Sequence, residues 1–144
     1  MEKILNAIEA CLLICNIYST VNDLKFLQED NISLIIKFIQ FQMRETIFPS
    51  YDSVYTVKSI KKNDNRKKSK NIQNHNRNLH LLYSKFVELM KVFVMLFDKC
   101  IFVDTIVLPL STLAIEPFFV DNIDTLQFVC LELVTTVSCI KLNI

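Results

Sequence analysis

Seven apolar residues, Leu79, Leu82, Phe86, Leu89, Phe93, Leu96 and Cys100, recur at alternating steps of three and four. That is the period of an α-helix, and Met90, Val94 and Phe97 add a second apolar stripe beside the first. A helix apolar over so wide an arc lies between two neighbours, as in a bundle or a solenoid. The chain therefore reads as all-α. Its 144 residues contain no glycine, where ordinary usage of roughly 7% would supply about ten. Turns that need a positive φ usually take glycine, so this chain must connect its elements through Pro, Asn, Asp and Ser. The same absence removes glycine-rich phosphate loops and dinucleotide fingerprints from consideration.

Other segments carry the same period. Ile4, Ile8, Cys11, Leu12 and Cys15 mark a helix over Glu2 to Tyr18. Ser19 to Glu29 is a connector with room for a short turn through Leu24, Phe26 and Leu27. Asp30 or Asn31 is placed to cap a second helix, whose buried face is Ile32, Ile35, Ile36, Ile39 and Met43. Phe48-Pro49 should end it, because proline disfavours helical geometry in the residue before it. Asp104 is placed to cap a helix reaching Ile115, and Pro109 either kinks it or sits in the first turn of a helix that begins near Leu108. Glu116-Pro117 breaks the chain, and Asp121 or Asn122 restarts it as a helix marked by Ile123, Leu126, Cys130, Leu133 and Val137. Between break and restart, Pro117, Phe118 and Phe119 read as a structural corner, with at least one ring buried between the flanking helices. The sum is about five helices, compatible with two or so antiparallel pairs at the HEAT period of roughly 40–47 residues.

The net charge of +1 suits no general polyanion binder, but its distribution is uneven. Lys58 to Arg77 holds eight of the sixteen Lys and Arg and a single acid, Asp64. Residues 59–77 have little to bury and read as a disordered basic loop. Within it, Lys61, Lys62, Arg66, Lys67, Lys68 and Lys70 form the one candidate functional cluster: a solvated loop, a nuclear-import signal, or a phosphate-contacting surface for DNA. No aromatic residue interleaves them, so base stacking is not suggested.

Nothing in the chain supports catalysis or a bound cofactor. His75 and His80 have no Cys or carboxylate at metal-ligand spacing and read as surface residues. The acids Glu29, Asp30, Asp121 and Asp124 read as helix-start residues. The five cysteines are odd in number, form no CxxC pair and sit among apolar neighbours, as small core residues of a reducing compartment do. There is no signal-peptide order at the start, and the longest uncharged apolar run, Thr105 to Ile115, is far short of the roughly 20 residues a spanning helix needs. The expectation is therefore no enzyme, no metal, no cofactor, no small-molecule substrate and no membrane.

Two corner sequences carry a family resemblance. Ile47-Phe48-Pro49-Ser50-Tyr51-Asp52-Ser53-Val54-Tyr55, and further on Pro117-Phe118-Phe119-Val120 with Leu133-Val134-Thr135-Thr136, resemble stretches of the Nipped-B-like cohesin loaders, in the same order and separated by a basic stretch and a long helix. The resemblance runs from about Asp30 to Val137, and more weakly over the first helix. It implies a HEAT-repeat α-solenoid of which residues 1–144 are one helical segment. It also implies a nuclear, non-enzymatic chromatin scaffold that promotes cohesin loading for sister chromatid cohesion in the cell cycle and for transcription regulation. Cohesin, with its SMC ATPases and kleisin, would be the partner, and the ATPase residues would be the partner's. The loader's small companion subunit binds a far N-terminal region this chain does not contain. Pro109 and the tail Ser138 to Ile144 depart from the family pattern, and the family's proteins are many-fold longer, so the chain reads as a fragment or truncated product. The other reading is a generic helical-repeat scaffold with cytosolic protein partners.

Overall fold

The computed structural model describes residues 2–21, 28–58 and 69–142, and all its regular structure is helical, with no strand among the described residues. The elements are α1 (Glu2–Thr20), α2 (Glu29–Gln42), a π-helical turn (Met43–Ile47), α3 (Phe48–Tyr51), a 3₁₀ turn (Ser53–Lys58), α4 (Ser69–Lys99), α5 (Asp104–Ile115), a second 3₁₀ turn (Glu116–Phe119) and α6 (Asp124–Leu142).

The five long helices form two layers. Helix α4 packs between α1 and α6, and α2 packs on α5, which also touches α6. Helices α1 and α4 run parallel, as do α2 and α5. The Lys99 ammonium, at the end of α4, donates to the Ser19 carbonyl near the end of α1 (2.7 Å). Gln40, near the end of α2, and Arg44, in the π turn beyond it, reach Glu116 just past the end of α5. Sequential helices that alternate between two layers, all α and packed on one another, suit a HEAT-like solenoid segment.

Burial follows the periodicity. Leu82, Phe86, Leu89, Phe93, Leu96 and Cys100 are buried along α4, and Leu79, near the upstream end of the stripe, is half-buried. All five predicted core positions of α2 and its extension are buried, as are all five of α6. Phe97 stacks on Phe102 at 4.2 Å and meets Phe93 edge-on at 6.3 Å, closing the turn between α4 and α5.

Element ends differ from the sequence expectation. Helix α4 begins at Ser69, so residues 69–77, expected in the basic loop, have helical backbone. Residues 59–68 lie outside the described residues, as do Leu24, Phe26 and Leu27 of the expected short turn. Pro49 does not end the second helix. A π turn precedes it, in which the Phe48 amide donates to the Met43 carbonyl five residues back, and helical backbone continues to Tyr51. Pro49 sits in the first turn of α3, where its missing amide costs least. The caps are displaced too. The N-caps of α2 and α5 are Gln28 and Val103, without side-chain cap bonds, while Glu29, Asp30 and Asp104 lie in first turns, favoured there by the helix dipole. Helix α5 begins at Asp104 and continues past Pro109 to Ile115, so it does not start near Leu108.

Burial raises the Cys15 and Cys130 thiols to about 12, and desolvation by burial pushes Cys11 and Cys100 upward as well. A thiol with so high a pKa stays protonated and poorly nucleophilic at any mildly alkaline pH. In a native-state titration with an aromatic disulfide, exposed Cys139 should react at once and Cys15 and Cys130 only after denaturant is added; immediate labelling of all five would contradict this packing.

Candidate functional site

The two corner sequences, distant in the chain, meet in space. Asp52 sits between them, with 6% of its surface exposed. Its Oδ1 accepts from the Val54 amide at 2.8 Å, an Asx turn closing its own corner. Its Oδ2 accepts from the Asp121 amide at 3.2 Å, across 69 residues. The Asn122 side-chain amide donates to the Tyr51 carbonyl (3.2 Å), and the Tyr55 hydroxyl donates to the Phe119 carbonyl (3.3 Å). Asn122 has φ 64°, the left-handed position that this glycine-free chain fills with Asn, whose short polar side chain tolerates it.

Three further side chains complete the wiring. The Gln127 amide, on the first turn of α6, donates to the carbonyls of Pro117 (3.0 Å) and Val120 (2.9 Å). The Glu116 carboxylate accepts from Gln40 (2.7 Å) and from both Nε (2.9 Å) and the terminal guanidinium nitrogen of Arg44. These hydrogen bonds to Glu116 push the Arg44 pKa up, so it stays charged. Tyr83 of α4 takes the Leu126 amide on its hydroxyl at 3.1 Å and packs on Tyr51 with ring centroids 5.0 Å apart.

The rings of the second corner point away from the core. Phe118 is 43% exposed and Phe119 is 73% exposed. The expectation that at least one fills a cleft between the flanking helices is therefore corrected. Pro117, Val120 and Ile123 fill it, and the corner backbone is closed by Gln127, Asp52 and Tyr55. Asp121 and Asn122 do not cap α6, which begins at Asp124 with the Ile123 carbonyl accepting from Leu126 and Gln127. Val54, at 74% exposure, and Tyr55 lie on the same corner.

Of the other sequence candidates, Lys61, Lys62, Arg66, Lys67 and Lys68 lie outside the described residues, and Lys70 is placed only by its backbone, in the first turn of α4. His80 stands 3.5 Å from the Tyr51 hydroxyl through Nδ1. Among the described residues no three His, Cys, Asp or Glu cluster in a way that could hold a metal ion, and no helix is long and apolar enough to cross a membrane.

Over 137 residues, 95% of the chain, the sequence is 75% identical to the Nipped-B protein of Drosophila melanogaster. The chain belongs to the Nipped-B family. It is also 31% identical over 141 residues to the mouse Nipped-B-like protein and 30% identical to the human one. It spans 7% of the length of the fly protein and 5% of the mouse and human proteins. No protein-family profile matches the chain, and no solved structure matches it. The similarity to Nipped-B reaches beyond the stretch from Asp30 to Val137 marked by the corner sequences, and takes in most of α1 as well.

Sequence reasoning missed Gln127, Glu116, Tyr83 and Asp52 as the corner's polar frame. Only Asp52 carried a local signal, since an Asp side chain readily bonds the backbone amide two residues on. In this segment, Phe118→Ala and Phe119→Ala should each change stability by no more than about 0.5 kcal/mol, as exposed sites do. Asp52→Ala should cost about 2–4 kcal/mol, because it orphans two amide donors from a charge-assisted pair of bonds. Urea unfolding of the three variants checks both; a loss of about 3–5 kcal/mol on truncating either ring, as for buried Phe, would show that the ring is packed.

Proposed function

We propose that the chain is a non-enzymatic structural segment of a cohesin loader, a piece of the nuclear HEAT-type scaffold that brings cohesin to chromosomes for sister chromatid cohesion and gene regulation. The observation that carries this reading is the 75% identity to Drosophila Nipped-B, which extends through both joined corners. The geometry is that of a scaffold. Its polar side chains are spent on joining helices, and the large apolar residues of α4 are spent on packing against both neighbours. A solenoid of this kind acts by presenting surfaces in a fixed relation to one another.

Within that function the joined corners set the angle between successive helix pairs, and the exposed rings of Phe118 and Phe119 are a contact point for cohesin. The basic residues Lys61, Lys62, Arg66, Lys67, Lys68 and Lys70 are the surface for DNA phosphates or for nuclear import.

The test uses a full-length Nipped-B relative. Replacing the residues equivalent to Phe118 and Phe119 with Ala should lower chromatin-bound cohesin while leaving protein abundance unchanged. Unchanged cohesin loading would remove the corner from the function. In the isolated chain, replacing the six basic residues with Gln should weaken DNA binding and flatten its dependence on salt, since each phosphate contact contributes about −0.9 to the log–log slope. An unaltered slope would assign DNA contact elsewhere.

A further inference from the structure

We infer that the π turn at Met43–Ile47 and Pro49 behind it form a latch that sets the phase of the first corner. The turn takes up one extra residue so that Asp52 reaches the second corner, and the proline disfavours the α-helical register in which it would not. This inference does not depend on the loader reading, since it concerns only how the two corners are held together.

The burial pattern requires the extra residue. Each residue of an α-helix advances about 100° around the axis. On a continuous helix, Phe48 would stand about 160° from Ile32, opposite the face that Ile32, Ile35, Ile36, Ile39 and Met43 bury. Phe48 is instead 2% exposed, with its ring 5.7 Å from that of Tyr55. The π turn removes the conflict. The Phe48 amide donates to the Met43 carbonyl, five residues back instead of four. One residue is absorbed, and Phe48 returns to within about 60° of Ile32.

The same shift places the corner. Gln40 and Arg44 hold Glu116, just before the second corner, and Asp52 holds the Asp121 amide just after it. The extra residue therefore lies between two grips on one target. Returning the turn to α geometry would rotate everything after it by about 100° relative to α2. Arg44 would stay on Glu116 while Asp52 was carried off the Asp121 amide.

Proline opposes that return. In the α register Pro49 would lie inside a continuous helix, with no amide to offer the Glu45 carbonyl and its ring against that carbonyl. With the π turn in place, Pro49 falls in the first turn of α3, where neither cost arises. The closed register is thus favoured by the burial of Phe48, by the Asp52 bonds and by the proline. The open register is a minor state, and the proline helps to set its population.

The experiment follows amide hydrogen exchange, residue by residue, in the 144-residue chain. Pro49→Ala removes a cost of the α register, so the Asp121 amide should exchange about tenfold faster, the size of one charge-assisted bond opened more often. The Phe93 amide, in the middle of α4, should keep its rate. Deleting the exposed Glu45 in the Pro49→Ala chain supplies the rescue. The turn can then close as an α-helix with Phe48 and Asp52 in their original phase, and the Asp121 amide should return to its parental rate. A general loosening of the fold would give no such return. Unchanged exchange at Asp121 in Pro49→Ala overturns the inference, as does an equal acceleration at Phe93. So does a deletion that unfolds the chain or leaves Asp121 exchanging fast, because the turn would then hold no spare residue.

Discussion

The carboxylate of Asp52 is the joint on which the rest of this segment depends. It is one of few buried polar side chains in the described residues, and it accepts amide hydrogen bonds from two turns 69 residues apart. Taking a charge out of water is costly, and it is tolerated only where the hydrogen bonds offered in return are complete. Here each oxygen has an amide donor, and the bonds are charge-assisted, the stronger kind. The other carboxylate of the region, Glu116, is in a different regime. Its guanidinium partner, Arg44, is half exposed, and exposed ion pairs contribute about 0–1 kcal/mol. Both link one helix pair to the next, but the buried carboxylate dominates, and Glu116 adds alignment through its fork of bonds to Arg44 and Gln40.

The interior of this fold was legible because burial imposes a period. Ile32, Ile35, Ile36, Ile39 and Met43 are buried in the structure because a helix packed on one side must place its apolar residues there. Likewise, the two stripes from Leu79 to Cys100 required α4 to have neighbours on both sides, and it has α1 and α6. The ends were less legible, because a cap depends on where the chain comes from and not only on which residues are present. Asp30, Asp104 and Asn122 are good capping types that the backbone path displaced from the cap position. Pro49 looked like a terminator. The π turn before it changes which carbonyl each amide meets, so helical backbone passes the proline.

The corner rings were misread for a related reason. Two phenylalanines after a proline, between apolar helices, have the composition of a core wedge. Their direction is set by polar contacts with no periodicity. Once Gln127 holds the Pro117 and Val120 carbonyls and Asp52 holds the Asp121 amide, the chain turns with Val120 and Ile123 inward, and Phe118 and Phe119 are left outside. Each of those bonds joins residues whose separation, from seven to 69, no local pattern specifies. The family resemblance identified the corner sequences, but the resemblance did not contain the orientation of the rings.

The placement of the polar joints also explains how a segment with such apolar interfaces keeps a defined shape. Apolar packing is non-directional, so parallel helices in one layer could slide or rotate at little cost if nothing else held them. The joints are directional and lie apart. The Lys99 ammonium holds the end of α1 at one end of the first layer, and the Tyr83 hydroxyl meets the start of α6 sixteen residues earlier on α4, about 24 Å away at 1.5 Å per residue. The second layer is fixed where α2 and α5 end, at Glu116. A rotation of one pair against the next must therefore break a hydrogen bond at a distance from its pivot, where a small angle becomes a displacement too large for the bond to follow. The apolar core supplies the cohesion of this segment, and a few hydrogen bonds at the ends of its helices supply the angle.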